Sequence, residues 1–378
     1  AEPKGYMIEV TGYTLYDDSL VLMFNFDNVS ALGEDYSVPC GLVKDLSLAG
    51  NDGYLSDLLC SSEKVPVWIP NGRYGGAFDF TGDGVTQGQS ILVYHSDSLN
   101  PGSGDFAITF WILTRDDYDG DVVRKGSTYT AGTWYKIEHA PSGPTDYIYW
   151  ELNTDGTDAS VYSTDAYNDN KWHFVFAQRK SDPGGDVAEL WIDGVLNGTV
   201  SVSGSILNNA NLAIGSKDTQ DDDFINSSVD EVRIYMRSFS PAEIRQFYHS
   251  NLSKYDAHKW ALYVNQSDLA EGTYTYQAFA SDIEGQTNAT EQRTLNVYLP
   301  RPPTVYLNSP SDGAVRNSTA VTFMCSASAP VGLLDAALYV GYSPQTVTFS
   351  GPNQTDDAQI SADDPNSNYG GEYLSGIN

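Results

Sequence analysis

Residues 228–244 read SVDEVRIYMRSFSPAEI, a strand pattern that runs directly into the start of a helix. Apolar and charged or aromatic positions alternate, with Val232, Ile234 and Met236 on one parity and Arg233, Tyr235 and Arg237 on the other. A period of two predicts a β-strand with one face in a core and the other in water.

The same alternation predicts that Asp230 points toward the core at the start of this strand. A buried carboxylate without a partner costs several kcal/mol or takes up a proton. Asp230 is therefore expected to contact a cation or several hydrogen-bond donors.

Ser240 is followed by Pro241 and, three residues after the serine, by Glu243. A capping serine, a proline at the first helical position and a glutamate at the third form a capping-box pattern. A short helix is predicted over about 241–248.

The 378 residues exceed one ordinary domain, and 12% aromatic and 40% hydrophobic residues suffice for real cores. Short alternating runs between turn dipeptides predict an almost all-β chain of two or three domains. No apolar run approaches the roughly 18 residues of a membrane span, and no basic and apolar leader begins the chain. A soluble, already processed chain is expected.

The formal charge is −30, from 50 acidic and 20 basic residues. This charge excludes nucleic acids and anionic membranes as natural partners and favours cations. Adaptation to high salt, surface calcium and colloidal solubility all remain open as its cause.

Asn-x-Ser/Thr sequons favour a secreted glycoprotein on the cell surface. They occur at Asn28, Asn197, Asn226, Asn251, Asn265, Asn288, Asn317 and Asn353. Cys40 and Cys60 bracket a loop that a disulfide would close, a stabilisation of about 3 kcal/mol. Cys325 remains, either as a buried free thiol or as half of a bridge to a cysteine elsewhere.

Three regions are predicted. Residues 1–252 carry strand signals without a long linker, and residues 253–300 fit three strands, half of an immunoglobulin-like sandwich. Residues 301–378 begin like a second such domain, but the sequence shows no clear later strands and its end is polar. An incomplete sheet of this kind is expected to be completed by strand addition between chains, in a homo-oligomer.

The stretch VDEVRIYMRSFSPAEI resembles the closing strand and helix of laminin-G-like, concanavalin-A-like jelly-roll domains. Three further blocks agree in order: NGRYGGAFDFTGDG (71–84), GDFAITFWI (104–112), and KWHFVFAQRK with AELWIDGVLNGT (171–199) leading to NLAIGSKD (211–218). The resemblance covers residues 15–250, about two thirds of the chain. The remainder loosely resembles immunoglobulin-like repeats of large archaeal and bacterial surface proteins, with an archaeal source favoured.

This resemblance implies a two-sheet antiparallel sandwich that holds carbohydrate or protein partners outside cells, often with bound calcium. Asp27 and Asp230 match positions that commonly lie near the metal. The alternative is that such an aspartate only accepts backbone N–H groups at a turn. Both readings stay open.

Signs of catalysis are few. The paired carboxylates of a retaining glycoside hydrolase would appear on one strand as Glu-x-Asp-x-Glu, and the nearest run, Glu189 to Asp193, lacks the second glutamate and ends in a hairpin. The histidines are scattered, so zinc is not expected. The acidic runs at 116–121 and 221–223 could collect calcium, but residues 116–121 lack the ligand spacing and terminal glutamate of an EF-hand and are expected to be a solvated loop. Loop tyrosines at 118, 129 and 147 are a weak sign of a sugar platform.

The sequence therefore predicts a non-enzymatic surface glycoprotein with a structural and adhesive role. A subunit of a filament or array ranks first, a monomeric calcium-dependent lectin that binds glycans second, and a glycoside hydrolase last.

Overall fold

A computed structural model of the chain describes residues 15–361 except 58, 85–86, 116–118, 127–131, 141–145, 267–268, 283, 299–301, 319, 330–335, 341–344 and 350–357. From residue 336 on, only the backbone is described. One compact unit ends at Gln266, and a second comprises the residues from Ser267 on.

The first unit is built almost entirely of strands. They are β1 (Leu20–Phe24), β2 (Leu42–Val43), β3 (Gly53–Leu55), β4 (Val67–Ile69), β5 (Ala77–Thr81), β6 (Ile91–Val93), β7 (Phe106–Thr114), β8 (Gly120–Lys125), β9 (Trp134–Ala140), β10 (Tyr147–Thr154), β11 (Thr157–Tyr162), β12 (Trp172–Lys180), β13 (Val187–Ile192), β14 (Val195–Ser201), β15 (Leu212–Ile214), β16 (Asn226–Tyr235), β17 (Ser250–Asp256) and β18 (Lys259–Val264). The α-helix α1 spans Pro241–Tyr248, and single 3-10 turns span Ser30–Leu32, Ser62–Lys64 and Asp97–Leu99.

Sixteen of these strands form two antiparallel sheets of eight. Sheet A has the order β14-β13-β12-β7-β16-β5-β4, with β1 also paired to β16. Sheet B has the order β11-β10-β9-β8-β15-β6-β3-β2. The main core contains Ile108 and Phe110 of sheet A and Ile137 and Trp150 of sheet B, all buried. The predicted all-β, two-sheet jelly-roll sandwich is confirmed.

A second apolar cluster lies on the other face of sheet A, called here the outer cluster. Trp111 of β7 and Phe174 of β12 alternate with core residues, so they point away from sheet B. Ile244 and Phe247 of α1 pack into the same cluster. The predicted wet face is therefore wrong, and Arg233 and Tyr235 are buried on it.

The helix is confirmed at the predicted position. The Glu243 N–H donates to Ser240 Oγ (3.3 Å), and the Ser240 N–H donates to Glu243 Oε2 (2.8 Å). Phe239 before the cap and Ile244 in the first turn both belong to the outer cluster, in the positions of a hydrophobic staple. Cap and staple together fix the direction in which α1 leaves the strand.

Strand β16 contains a bulge that the alternation did not reveal. Its pairing with β7 shifts register between Asp230 and Arg233, and Glu231 has a φ of 54°. One extra residue reverses the parity, so Val229 and Val232 both face the main core. Asp230 bonds instead to loop 71–76, and the prediction that it faces the core is wrong.

The hairpin β17–β18 belongs to the first unit, which places the boundary after Gln266 and not after residue 252. The Trp260 ring meets Tyr16 edge-on at 5.2 Å. The Asn25 side chain donates to the Leu252 carbonyl (3.0 Å). The hairpin therefore packs on the sandwich.

The second unit consists of small sheets. Its strands are β19 (Gly272–Tyr276), β20 (Phe279–Ser281), β21 (Thr287–Ala289), β22 (Arg293–Val297), β23 (Thr304–Ser309), β24 (Thr322–Ser328), β25 (Ala336–Val340), β26 (Gln345–Phe349) and β27 (Ala358–Ser361). They pair as β19-β22, β20-β21, β23-β24-β27 and β25-β26. Residues 253–300 thus hold more than the three predicted strands, and the stretch TYTYQAFA is divided between β19 and β20. An immunoglobulin-like nature stays a prediction.

Within the polar end, β27 pairs with β24 of the same chain, while 350–357 and 362–378 lie outside the described residues. Cys325 on β24 is a half-buried free thiol. None of the described helices is long and apolar enough to cross a membrane.

Candidate functional site

The two predicted metal ligands anchor one loop, residues 71–76, between β4 and β5. Asp27 Oδ1 accepts the Gly76 N–H (3.0 Å), and Asp230 Oδ2 accepts the Tyr74 N–H (2.9 Å). Both aspartates thus act on the same backbone segment. The family resemblance implied that both lie near a metal, and the structure shows both bonded to the same loop; the metal itself stays a prediction.

Two glycines allow this close approach. A Cβ on Gly75, whose φ is 65°, would lie 2.0 Å from Asp27 Oδ1. A Cβ on Gly72 would lie 2.8 Å from Asp230 Oδ2. The loop can wrap the carboxylates only because these positions have no side chain.

Asp230 and Glu231 are adjacent buried carboxyl groups. Burial, and next the neighbouring Glu231 carboxylate, raise the pKa of Asp230. Glu231 contacts the Arg233 guanidinium and the Asn251 amide, each at 2.6 Å. Burial also raises the pKa of Glu231 to about 8, although the Arg233 guanidinium opposes the shift. Burial also raises the pKa of Asp27.

Calcium prefers six to eight oxygen ligands. Asp27 and Asp230 supply hard carboxylate oxygens, and Asp230 Oδ1 has no hydrogen-bond partner of ordinary geometry. Among the described residues, however, no three acidic, histidine or cysteine side chains converge to hold a metal. A calcium ion held by these two carboxylates would need backbone carbonyls and water for the rest of its ligands.

A second polar site lies on the outer face of sheet B, around Lys136 of β9. Its ammonium contacts Glu138 on the same strand, Glu151 of β10 (3.2 Å) and Asp121 of β8 (3.8 Å). The Trp134 ring centroid is 5.7 Å from the ammonium. Four charged groups from three adjacent strands therefore meet on one face.

Burial dominates the protonation of this cluster. It raises the pKa of Glu138 to about 7 and that of Asp121 to about 6, although the Lys136 and Arg124 cations oppose the shifts. Near neutral pH, Glu138 is thus divided between a carboxylic acid that donates and a carboxylate that only accepts.

Beside this cluster, three tyrosines form a surface called here the tyrosine platform. Tyr147 and Tyr149 alternate with core residues of β10, and Tyr162 ends β11. The Tyr162 ring is 5.4 Å from Tyr149 and 6.3 Å from Tyr147. Tyr162 is 51% exposed. Of the predicted loop tyrosines only Tyr147 belongs to it, since 118 and 129 lie outside the described residues.

Sequence reasoning missed the Lys136 cluster because it looked for carboxylates along a single strand. In the structure the carboxylates lie on three neighbouring strands. The only sequence signal for them is that each occupies an outward-facing position in the alternation of its strand. The run that was considered is structural: Glu189 is buried and accepts from Gln178 (2.8 Å) and Trp191 (3.0 Å).

The acidic run 116–121 differs at Asp121 from the predicted solvated loop. Asp121 is buried against Arg124 (2.5 Å), and Asp223 contacts the same guanidinium (3.1 Å). Residues 116–118 lie outside the described residues. At least these two aspartates serve an ion pair on sheet B.

The structure joins Cys40 and Cys60 in a disulfide. The sequons differ in accessibility. Asn265, Asn288 and Asn317 are exposed, Asn28, Asn197 and Asn226 are half-buried, and Asn353 lies outside the described residues. Asn251 is only 4% exposed and its amide donates to Glu231, so the folded chain leaves no room for a glycan there. This sequon must be removed from the predicted set.

Comparison with known proteins begins with a family match. The Laminin_G_3 family, described as the concanavalin A-like lectin/glucanases superfamily, matches residues 85–245. No curated protein matches the chain.

Several solved structures are similar at low identity. The binding domain of Paraclostridial Mosquitocidal Protein 1 is 14% identical, over 82% of this chain and 75% of its own, with a TM-score of 0.45. Domain 4 of the extracellular arabinanase AbnA from Geobacillus stearothermophilus, solved with arabinotriose, is 14% identical over 60% and 97%, with a TM-score of 0.44. The receptor binding domain of a botulinum neurotoxin C/D mosaic is 14% identical over 82% and 71%, with a TM-score of 0.45.

These structural likenesses are too distant to carry an argument. The family match covers residues 85–245, which contribute strands to both eight-stranded sheets of the sandwich. The first unit of this chain therefore has the concanavalin A-like lectin/glucanase fold.

Proposed function

We propose that the first unit is a lectin-like adhesive module that binds a glycan on the outer face of sheet B. The observation that carries this proposal is the tyrosine platform beside the Lys136 cluster. Carbohydrate sites combine aromatic surface with a few placed polar groups, and this part of the face offers both.

Each part has a role in binding. The C–H face of a pyranose would stack on Tyr162 and Tyr149, and its hydroxyls would bond to Glu138 and Glu151. Because the pKa of Glu138 is about 7, this group can serve as donor or acceptor near neutral pH. The lectin-containing family description supports the same class of ligand.

An open surface depression of about 480 Å³ adjoins the platform and is lined by Tyr147, Tyr162, Ser163, Asn197 and Thr199 among others. Asn197 is also a sequon, so a glycan attached there would compete with an external ligand. Asn197→Gln is therefore the background for any binding test in a glycosylating host.

Hydrolysis is a weaker reading of the same residues. A retaining glycosidase places two carboxyl groups about 5 Å apart across the scissile bond. Glu138 and Glu151 both contact the Lys136 ammonium, which occupies the space between them. A sugar cannot be bracketed by these two groups while the lysine lies there.

A glycan panel tests the proposal with Tyr162→Ala. Tyr255→Ala is the matched control, because Tyr255 is 53% exposed on β17 and lies outside the platform. We expect Tyr162→Ala to lose about tenfold or more in affinity while Tyr255→Ala keeps it. Equal loss in both variants, or no glycan bound by the parent protein, would overturn the proposal.

Assembly between chains remains a second candidate, favoured by the surface of β23. Val305, Tyr306 and Leu307 follow one another and are 65%, 58% and 66% exposed. Three strands are about the minimum for a sheet that is stable in water, and their apolar face must be covered, so a neighbouring copy that adds a strand would stabilise this sheet.

Negative-stain electron microscopy and light scattering test assembly on the full chain. Leu307→Lys should reduce the assembled fraction, while Val315→Lys, which alters an 88% exposed residue outside the strands, should not. A parent protein that stays monomeric at every concentration rules out this candidate.

An extracellular location and a structural calcium at Asp27 and Asp230 complete the proposal. The Cys40–Cys60 disulfide supports the first, because such bonds persist in oxidising compartments. The unpartnered Asp230 oxygen supports the second.

A further inference from the structure

Loop 71–76 presents one cation on an aromatic surface. Arg73 is exposed, and its guanidinium lies 4.3 Å from the Trp111 ring centroid and 5.2 Å from that of Tyr74. Among the described residues it makes no hydrogen bond or ion pair. The other guanidinium contacts of the first unit are different: Arg115, Arg124, Arg179, Arg233 and Arg237 each contact a carboxylate.

Arg245 on α1 likewise has no ion pair among the described residues, so the lack of a carboxylate partner does not by itself distinguish Arg73. The distinguishing feature of Arg73 is its stacking on Trp111 and Tyr74. Stacking explains how Arg73 is held without a carboxylate partner. Contact with Trp111 uses the flat face of the guanidinium, and its N–H groups all lie in the plane, so the donor edge remains available.

The surroundings form a surface of aromatic rings. Trp111 stacks with Tyr248 at 5.6 Å, and Tyr74 contacts Tyr263 at 5.6 Å. Tyr263 is 52% exposed, so part of this surface is open to solvent. A ligand bound to the N–H groups of Arg73 would also contact the neighbouring tyrosine rings.

The loop is also preorganised. The Tyr74 N–H is fixed by Asp230, the Gly76 N–H by Asp27, and the Gly72 N–H bonds to the Gly75 carbonyl (2.7 Å). These bonds hold the backbone on both sides of Arg73. A fixed donor loses less entropy on binding than a mobile surface side chain.

We propose that Arg73, with Tyr74 and Tyr263, binds the carboxylate of an acidic sugar such as a sialic or uronic acid. A guanidinium edge matches a carboxylate with two parallel hydrogen bonds, and the pyranose that bears it packs on the tyrosines. The net negative charge repels a dianionic phosphate more strongly than a single carboxylate, which favours the carboxylate. This site lies over sheet A and is separate from the tyrosine platform of sheet B.

Calorimetric titration of the full chain with 3′-sialyllactose and with trigalacturonate, against lactose, tests the assignment. The parent protein should bind at least one acidic probe more tightly than lactose. Arg73→Met should weaken that binding roughly tenfold to hundredfold, the usual range for a charge-assisted bond. Arg73→Lys keeps the charge but lacks the planar guanidinium, so its affinity for the acidic probe should lie between those of the parent and of Arg73→Met.

Arg245→Ala is the matched control, because Arg245 is exposed on α1, has no ion pair among the described residues and carries the same charge. Acidic-probe affinity should survive this change and also Tyr162→Ala. Thermal melts confirm that each variant is folded. Absence of acidic-sugar binding, an equal loss with Arg245→Ala, or preference for a sulfated sugar or an acidic peptide would each overturn the proposal.

Discussion

The outer face of sheet A lies under α1, hairpin β17–β18 and loop 71–76, whereas the outer face of sheet B carries charged residues and tyrosines. At the outward positions of sheet A stand Trp111, Phe174 and Phe176. At the corresponding positions of β9 and β10 stand Lys136 and Tyr149. The outward positions are thus apolar on sheet A and charged or aromatic on sheet B, although the strands of both sheets alternate in the same way.

The difference separates stability from recognition. Apolar outward residues require a cover, and the cover adds a second core whose burial stabilises the fold by about 25 cal/mol per Å². On sheet B the Lys136 cluster is itself largely buried, but the outward tyrosines stay partly exposed and remain available to a ligand. Substitutions on sheet A should therefore act mainly on unfolding, and those on sheet B mainly on binding.

Phe247→Ala should give the largest effect on stability. Phe247 is 1% exposed and its ring meets Phe239 at 5.0 Å, Tyr235 at 5.6 Å and Phe176 at 5.8 Å. Truncation of such a ring costs about 3–5 kcal/mol of unfolding free energy. Urea unfolding followed by tryptophan fluorescence measures it.

Tyr162→Ala on sheet B provides the contrast for that experiment. Since Tyr162 is about half exposed, its removal should cost less than about 1 kcal/mol. Similar losses for both variants would mean that the two faces do not differ in the way proposed.

Glu138→Gln should change the pH dependence of stability. The folded pKa of Glu138 is about 7, above its ordinary value of 4.5. The folded state therefore binds a proton that the unfolded chain has released, and the resulting stability is present below pH 4.5 and lost as the pH rises through 7. The amide should remove a decline of at most about 3 kcal/mol between pH 5 and pH 8.

Denaturant melts at several pH values test this sign, with Glu63→Gln on an exposed 3-10 turn as the control. The substitution also removes the contact with Lys136. That loss lowers the unfolding free energy by a similar amount at every pH, so it does not change the slope of stability against pH. A Glu138→Gln curve parallel to that of the parent would contradict the prediction.

Calcium should stabilise the parent protein but not Asp230→Asn. Asparagine keeps an oxygen for the Tyr74 N–H but cannot supply a charged ligand. At calcium concentrations 100 times the dissociation constant, the parent should gain about 2.7 kcal/mol. If both proteins melt alike with calcium and with chelator, Asp230 only anchors the loop.

Local patterns predicted much of the fold. The capping box at Ser240 placed α1 correctly because helix starts depend on residues close together in sequence. Two blocks quoted for the family resemblance, at 104–112 and 171–199, contain most of β7 and all of β12. The approach of Asp27 and Asp230 was obtained from family resemblance and not from the pattern.

What the sequence did not predict depends on contacts across strands. The bulge at Glu231 reverses a parity that looks continuous in the sequence, since one residue with positive φ is enough to do so. The Lys136 cluster draws on β8, β9 and β10, and only the strand register brings Asp121 and Glu151 to the same lysine. Such register is set by the whole sheet.

Ser240→Ala should have a small effect on stability, and it tests how firmly α1 covers sheet A. The serine accepts the Glu243 N–H, and loss of such a cap costs about 1 kcal/mol. Because Phe239 and Ile244 still bury their side chains, the helix should remain in place and the outer cluster should keep its near-UV signal. Ser203→Ala, an exposed loop serine, is the matched control and should leave stability unchanged. A loss as large as that of Phe247→Ala would mean that the cap, and not apolar burial, holds the cover on this face.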